Sequence, residues 1–199
     1  MSRALLAAIV VIACIGGLFL ISNMADFKLL SGSSAGDPAD VANWTEYEDV
    51  DEMFKVNLPS PPEHVSQTIT DRVTNQIRHY SIYASKDLEG TVYMVTEITF
   101  PSEIDPTDNE DLLHDVVKEM VASKPTNELV SMESTTFHGG PAVNFQINGN
   151  EDTVIYGVTF SKNKKLYTVS SIGATKYNDE AKFEKFADSF FAKNDNIKK

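Results

Sequence analysis

The chain has 199 residues and carries 29 acidic against 17 basic side chains, a formal net charge of −12 at pH 7. A surface of this sign repels phosphate backbones, so the composition argues against nucleic acid as a partner. The single cysteine excludes an internal disulfide, so the folded part must be held by its own hydrophobic core.

The first predicted element is an apolar segment at the amino terminus, residues 1–25. Its uncharged run Ala4–Ile21 would be about 27 Å long as a helix, just enough to cross the hydrocarbon core of a bilayer. We therefore expect an uncleaved single-pass anchor in the cytoplasmic membrane. Arg3 stays inside, and the remaining chain lies outside the cytoplasm (periplasmic or extracellular). Two alternatives stay open: a cleaved signal that ends after Ala25, and a lipoprotein signal with lipid on Cys14.

A small, polar stretch without periodicity follows, so residues 26–43 are predicted to form a flexible linker. The globular domain is predicted over residues 44–192, and residues 193–199 form a polar tail. The segment Phe54–Leu58 alternates apolar and polar side chains, which is the pattern of a half-buried strand. Pro59 ends that strand, because proline cannot donate to a sheet ladder.

Six further strands are predicted from β-forming side chains and the turns between them. They are Gln76–Ser85, Thr91–Phe100, Leu129–Phe137, Ala142–Asn148, Thr153–Lys162 and Lys165–Ile172. Tight turns between successive strands favour antiparallel pairing.

Helical spacing of apolar residues predicts two helices. The first spans about Asn109–Lys124, with Thr107 and Glu110 as a capping box or Asp108 as an alternative cap. The second spans Asp179–Ala192 with Asn178 as its cap. Its expected apolar face consists of Ala181, Phe183, Phe186, Ala187, Phe190 and Phe191. The fold class is therefore α+β, an antiparallel sheet flanked by helices in an α/β/α sandwich.

Three short motifs in this domain resemble the PsbP-like fold. They are Phe54-Lys55-Val56-Asn57-Leu58-Pro59, Phe137-His138-Gly139-Gly140-Pro141-Ala142 and Phe186-Ala187-Asp188-Ser189-Phe190. That fold is named for an extrinsic subunit of the photosystem II oxygen-evolving complex. A Ran-binding nuclear import factor and many secreted bacterial proteins of unknown role share it. The resemblance covers about residues 44–192 and implies the fold, but the fold has no shared active site and transfers no function.

Catalytic and cofactor-binding motifs are absent from the sequence, so we expect no catalytic residue and no cofactor. The one candidate metal site is the trio Asp111, His114 and Asp115 on the first predicted helix. The alternative interpretation is that these acids stabilise the positive end of the helix dipole. Gly139-Gly140 is predicted to form a turn rather than a phosphate loop.

Basic residues cluster at one predicted hairpin tip, where Lys162, Lys164 and Lys165 lie close together in the sequence. Solvated turn lysines are the expected interpretation, and a contact with a partner is the alternative.

Two functional hypotheses follow. The leading one is a membrane-tethered extracytoplasmic binding or assembly domain without catalytic activity, held to the membrane by its amino-terminal segment and bound to a protein partner. The alternative is an extracytoplasmic hydrolase or metal-dependent enzyme whose site forms only in three dimensions. A deep cleft that gathers histidines and acids would favour the enzyme, and scattered histidines would favour the binding domain.

Overall fold

The computed structural model describes residues 41–51, 53–70, 76–107, 109–150 and 152–193. The predicted anchor, with Arg3 and Cys14, lies outside the described residues, as do the linker up to residue 40 and the tail from residue 194. Within the described ranges, every helix is too short or too polar to cross a membrane.

In the described part of the chain, ten strands and two α-helices follow a 3₁₀ turn at Val41–Asn43. The strands are β1 Thr45–Glu48, β2 Phe54–Leu58, β3 Glu63–Thr70, β4 Ile77–Lys86, β5 Val92–Thr99, β6 Glu128–Phe137, β7 Gly140–Asn148, β8 Thr153–Lys162, β9 Lys165–Ala174 and β10 Phe191–Ala192. The helices are α1 Glu110–Ala122 and α2 Glu180–Asp188.

The strands form two antiparallel sheets. The large sheet has the strand order β3-β4-β5-β9-β8-β7-β6, and the small sheet has the order β1-β2-β10. Two-residue turns close the β6–β7 and β8–β9 hairpins, with positive φ at His138 and Gly139 and at Asn163 and Lys164. This backbone matches the twist of the flanking strands. The predicted α+β class with a mostly antiparallel sheet is confirmed.

The large sheet is the middle of three layers. On one face α1 packs its buried residues Leu113, Val116 and Val117 into a cluster with Phe145 and Leu166 of the sheet. The other face is covered by α2 together with the small sheet. The buried side chains of that second cluster include Trp44, Phe54, Val56, Tyr93, Tyr167, Phe186 and Phe190. The small sheet within this second layer was not predicted.

The cap of α1 differs from the predicted capping box. The Asn109 side chain accepts a hydrogen bond from the Leu112 amide (3.1 Å), so Asn109 is the N-cap. Thr107 belongs instead to a turn, in which its amide donates to the Asp105 carboxylate at 2.9 Å. Thr107 lies two residues before the N-cap position, so its side chain does not cap the helix.

The second helix is shorter than predicted, and its buried face is different. Asp179, not Asn178, is the N-cap, and its side chain accepts from the Lys182 amide at 2.8 Å. Ala181 is exposed, whereas Lys182 is buried. The chain leaves the helix before Phe191, which enters β10 and is 57% exposed. The prediction that Ala181 and Phe191 belong to the apolar face was wrong. Ala181 lies on the exposed side of the first turn, and Phe191 lies beyond the end of the helix at Asp188, one turn earlier than predicted.

The first and third motifs of the sequence resemblance meet in this second layer. The rings of Phe54 and Phe190 stack with centroids 5.4 Å apart. The Ser189 hydroxyl accepts a hydrogen bond from the Asn57 amide (3.0 Å) and donates to the Phe186 carbonyl (2.6 Å). Ser189 lies opposite Asn57 in the β10–β2 register, and its hydroxyl takes the place of a backbone acceptor there. This hydrogen bond joins the end of α2 to β2.

We predict that Ser189→Ala lowers the free energy of unfolding by about 1–2 kcal/mol, because the part-buried Asn57 amide loses its acceptor. Chemical denaturation followed by tryptophan fluorescence measures the loss. Ser102→Ala is the matched control, since that exposed hydroxyl contacts only the neighbouring Glu103 among the bonds described for it. Equal stabilities of the two variants would contradict the bridging role of Ser189.

Candidate functional site

A cavity of about 420 Å³ opens where the β6–β7 and β8–β9 hairpins end. We call it the hairpin-end pocket. Its lining residues are Thr107, Phe137, His138, Gly139, Gly140, Pro141, Phe160, Ser161, Lys162, Asn163, Phe191 and Ala192. The volume falls within the range of about 300–1,000 Å³ that is usual for ligand-binding cavities.

Aromatic rings form the apolar wall of the pocket. The Phe137 and Phe160 rings lie 4.8 Å apart between centroids, and Phe160 packs edge-on against the buried Phe190 at 5.4 Å. The His138 imidazole contacts the Phe137 ring at 4.2 Å. Because Phe160 and Phe190 are almost fully buried, this wall is fixed by the same core that holds α2. Phe190 also stacks on Phe54, so ring contacts connect the three motifs of the resemblance behind this wall.

The polar rim of the pocket comes from the second hairpin turn. The Asn163 side chain donates to the Lys193 carbonyl, which ties this turn to the segment after β10. Lys162 also lines the pocket, and no ion pair of its ammonium group is found among the described residues. The lining residues include no Asp or Glu, although the chain has 29 of them.

The three lysines of the predicted hairpin cluster have different environments. Lys165 forms an ion pair with Glu97 at 2.8 Å. Lys164 lies near Asp105, where hydrogen bonds from Thr107 chiefly, and the positive charge of Lys164 in addition, lower the pKa of the carboxyl group. Of the three, Lys162 is the one that lines the pocket. Sequence reasoning missed the pocket, and the only signal for it was the pair of turns flanked by phenylalanine and lysine.

The four histidines occupy separate parts of the fold. His64 on β3 stacks on the Tyr83 ring with centroids 4.3 Å apart. His79 on β4 bonds a threonine hydroxyl at 2.8 Å. His114 lies on α1, and His138 lies at the turn beside the pocket. The four histidines are therefore scattered over the fold, and the lining of the pocket includes one of them and no carboxylate.

The candidate metal residues on α1 have other partners. His114 Nε2 lies 3.1 Å from the Ser134 hydroxyl, and the Asp115 carboxylate pairs with Lys118 at 2.9 Å. Asp111 is exposed. Among the described residues, no group of three or more His, Cys, Asp or Glu side chains is arranged to hold a metal ion. The metal site thus stays a prediction, without a ligand set in the described part.

A Ser–His–Glu contact also lies between α1 and β6. The Ser134 hydroxyl donates to Glu110 and contacts His114 Nε2, and the Glu110 carboxylate is 3.7 Å from that same nitrogen. In a nucleophilic triad the acid holds the other ring nitrogen and orients the base. The three side chains here instead connect the start of α1 to β6.

A buried ion pair holds α2 against the turn between β4 and β5. Lys182 Nζ lies 2.8 Å from Asp87 and 3.2 Å from Glu89, and the Asp87 side chain is 3% exposed. The second Asp87 oxygen accepts from the Glu89 and Thr91 amides. Burial alone would lower the pKa of Lys182, but the hydrogen bond to Asp87 and the neighbouring charge outweigh burial and raise it. The cluster is a structural anchor that sequence reasoning missed.

The comparisons with known proteins identify the fold. No family model matches the chain, and no curated protein matches it. Among solved structures, the chain is similar to the solution structure of cyanobacterial PsbP (CyanoP) from Synechocystis sp. PCC 6803. The TM-score is 0.53 at 17% identity, and the match covers 82% of this chain and 99% of that one. The chain therefore has the PsbP-like fold, and the resemblance predicted from the three motifs is confirmed.

Proposed function

We propose that this chain is a membrane-tethered, extracytoplasmic binding or assembly domain without catalytic activity. The observation that carries this proposal is the hairpin-end pocket. It offers aromatic rings, hairpin turns and one lysine, which are groups that hold a ligand, and its lining lacks a paired nucleophile and base.

The proposed location is supported by the apolar run Ala4–Ile21 and by Arg3, the basic residue before it. With a tether there and about 150 residues beyond it, one compact domain would act at the membrane surface. The PsbP-like fold is compatible with such a role, since it presents a rigid sheet with exposed hairpin ends.

The location is tested with the full chain in bacterial spheroplasts. We expect the protein to stay in the membrane pellet after carbonate extraction and to be digested by protease added outside. A variant that lacks residues 1–25 should be soluble and protected inside the cell. Protection of the full-length domain, or a mature protein that starts at Asp26, would contradict the retained outward-facing anchor. Mass spectrometry of the original chain and of the Cys14→Ser variant separates the anchor from a lipoprotein, because only a lipoprotein would carry a lipid that this substitution removes.

The absence of catalysis is tested by measuring the turnover of ester, phosphate and peptide substrates by the original chain and by a Ser134→Ala variant. The Ser134→Ala variant should show the same background turnover as the original chain. Turnover that this substitution, or His114→Ala, abolishes would overturn the non-catalytic part of the proposal and favour the hydrolase alternative.

A further inference from the structure

We propose that the hairpin-end pocket binds the carboxyl-terminal residues of a partner polypeptide whose last side chain is apolar. This inference rests on the proposed binding function and specifies its ligand. Three properties of the pocket lead to it: its charge, its aromatic wall and the open strand edge beside it.

The charge of the pocket selects an anion. The chain as a whole is strongly acidic, yet the residues lining this cavity include Lys162 and no acid. Two neighbouring lysines are engaged, because Lys165 pairs with Glu97 and Lys193 pairs with Glu48. Lys162 is half-buried and has no ion pair among the described residues, so its ammonium group is available to a ligand carboxylate.

The aromatic wall selects an apolar side chain next to that carboxylate. Phe137 and Phe160 line the cavity, and Phe191 projects from β10 with 57% of its surface exposed. The exposed Phe191 lies beside the half-buried Phe137 ring and the buried Phe160 ring, so the apolar cluster is incomplete on its outer side, and a ligand side chain would complete it. A ligand with both a carboxylate and an apolar body fits this combination.

The open edge of β10 favours a peptide over a free small molecule. This strand is the end of the small sheet, so only its β2 side is paired. Lys193 donates its amide to Met53 across the pair, and the alternation of antiparallel strands then directs the Ala192 amide and carbonyl to the outer edge. Ala192 lines the pocket. An extended peptide that lies along this edge would gain backbone hydrogen bonds, as in strand addition.

The test uses the full chain in lipid nanodiscs and a library of N-acetylated peptides with free carboxyl termini and random last four positions. Selected peptides should end in apolar residues, and fluorescence anisotropy should show saturable binding. Replacing the terminal carboxylate with a carboxamide should weaken binding by about tenfold or more, as should Lys162→Met. Phe191→Ser should also weaken binding.

Lys162→Arg should retain binding, and the control Lys118→Met on the distant helix should leave the affinity unchanged. Equal binding of acid and amide, or 3-phenylpropionate binding as tightly as the peptide, would overturn the inference. The inference would also be overturned if no peptide of the library bound saturably. Photo-crosslinking from probes placed over the whole surface distinguishes the two failures. Crosslinks to a partner from another surface would support the proposed binding function without this pocket, whereas the lack of crosslinks from every surface would overturn the binding function as well.

Discussion

Lys182→Met is expected to lower the free energy of unfolding by about 3–5 kcal/mol, because it leaves the buried Asp87 carboxylate without its cation. Asp87 would keep the amides of Glu89 and Thr91, but these hydrogen bonds already exist and cannot replace a full positive charge. Urea denaturation followed by circular dichroism measures the difference.

Two further variants make this result specific. Adding Asp87→Asn to Lys182→Met should recover part of the lost stability, since it removes the buried charge but keeps a side-chain acceptor for the turn. Lys118→Met breaks an exposed pair with Asp115 and should cost about 0.5 kcal/mol or less. If Lys182→Met cost no more than Lys118→Met, the ion pair would not anchor α2.

The same cluster sets the stability at alkaline pH. The folded-state pKa of Lys182 is raised, so its stabilisation is complete below its unfolded pKa and is lost as the pH rises through the folded value. Burial chiefly raises the pKa of the neighbouring Tyr93 hydroxyl, which acts in the same direction. The protein should therefore lose stability above about pH 10, where both groups begin to lose their protons in the unfolded chain but keep them in the folded protein.

Elements with a strong periodic pattern were predictable from the sequence. β8 was predicted with its observed ends, Thr153 and Lys162, because the alternation and both flanking turns are local signals. The edge strand β3, Glu63–Thr70, was missed. One of its edges is unpaired and most of its side chains are exposed, so little alternation between apolar and polar residues is required of it.

The site was less predictable because it depends on contacts between distant segments. Phe191 follows an apolar helical pattern, and its exposure is decided by the pairing of β10 with β2. Lys182 lies between Ala181 and Phe183 in the sequence like any surface lysine. Its burial depends on Asp87, which is 95 residues away in the turn between β4 and β5. Local patterns carry neither piece of information.

The packing of Phe145 over Gly157 is a further contact between strands that no local pattern shows. The two residues are directly opposite on β7 and β8, on the face covered by α1. A Cβ atom at Gly157 would lie 2.1 Å from Cζ of Phe145, and 2.6 and 2.7 Å from its two Cε atoms. The ring cannot move aside freely, because it is 3% exposed and packed in the same cluster as Leu113 and Val117.

Gly157→Ala should therefore destabilise the protein by about 1–3 kcal/mol, even though alanine is otherwise the better residue in a strand. Thermal unfolding should show the loss, and Phe145→Leu in the same chain should reduce it, since a shorter side chain relieves the overlap. Gly140→Ala is the matched control, because a Cβ there meets atoms no closer than 3.9 Å. Additive losses in the double variant would mean that the overlap with Phe145 is not the cause.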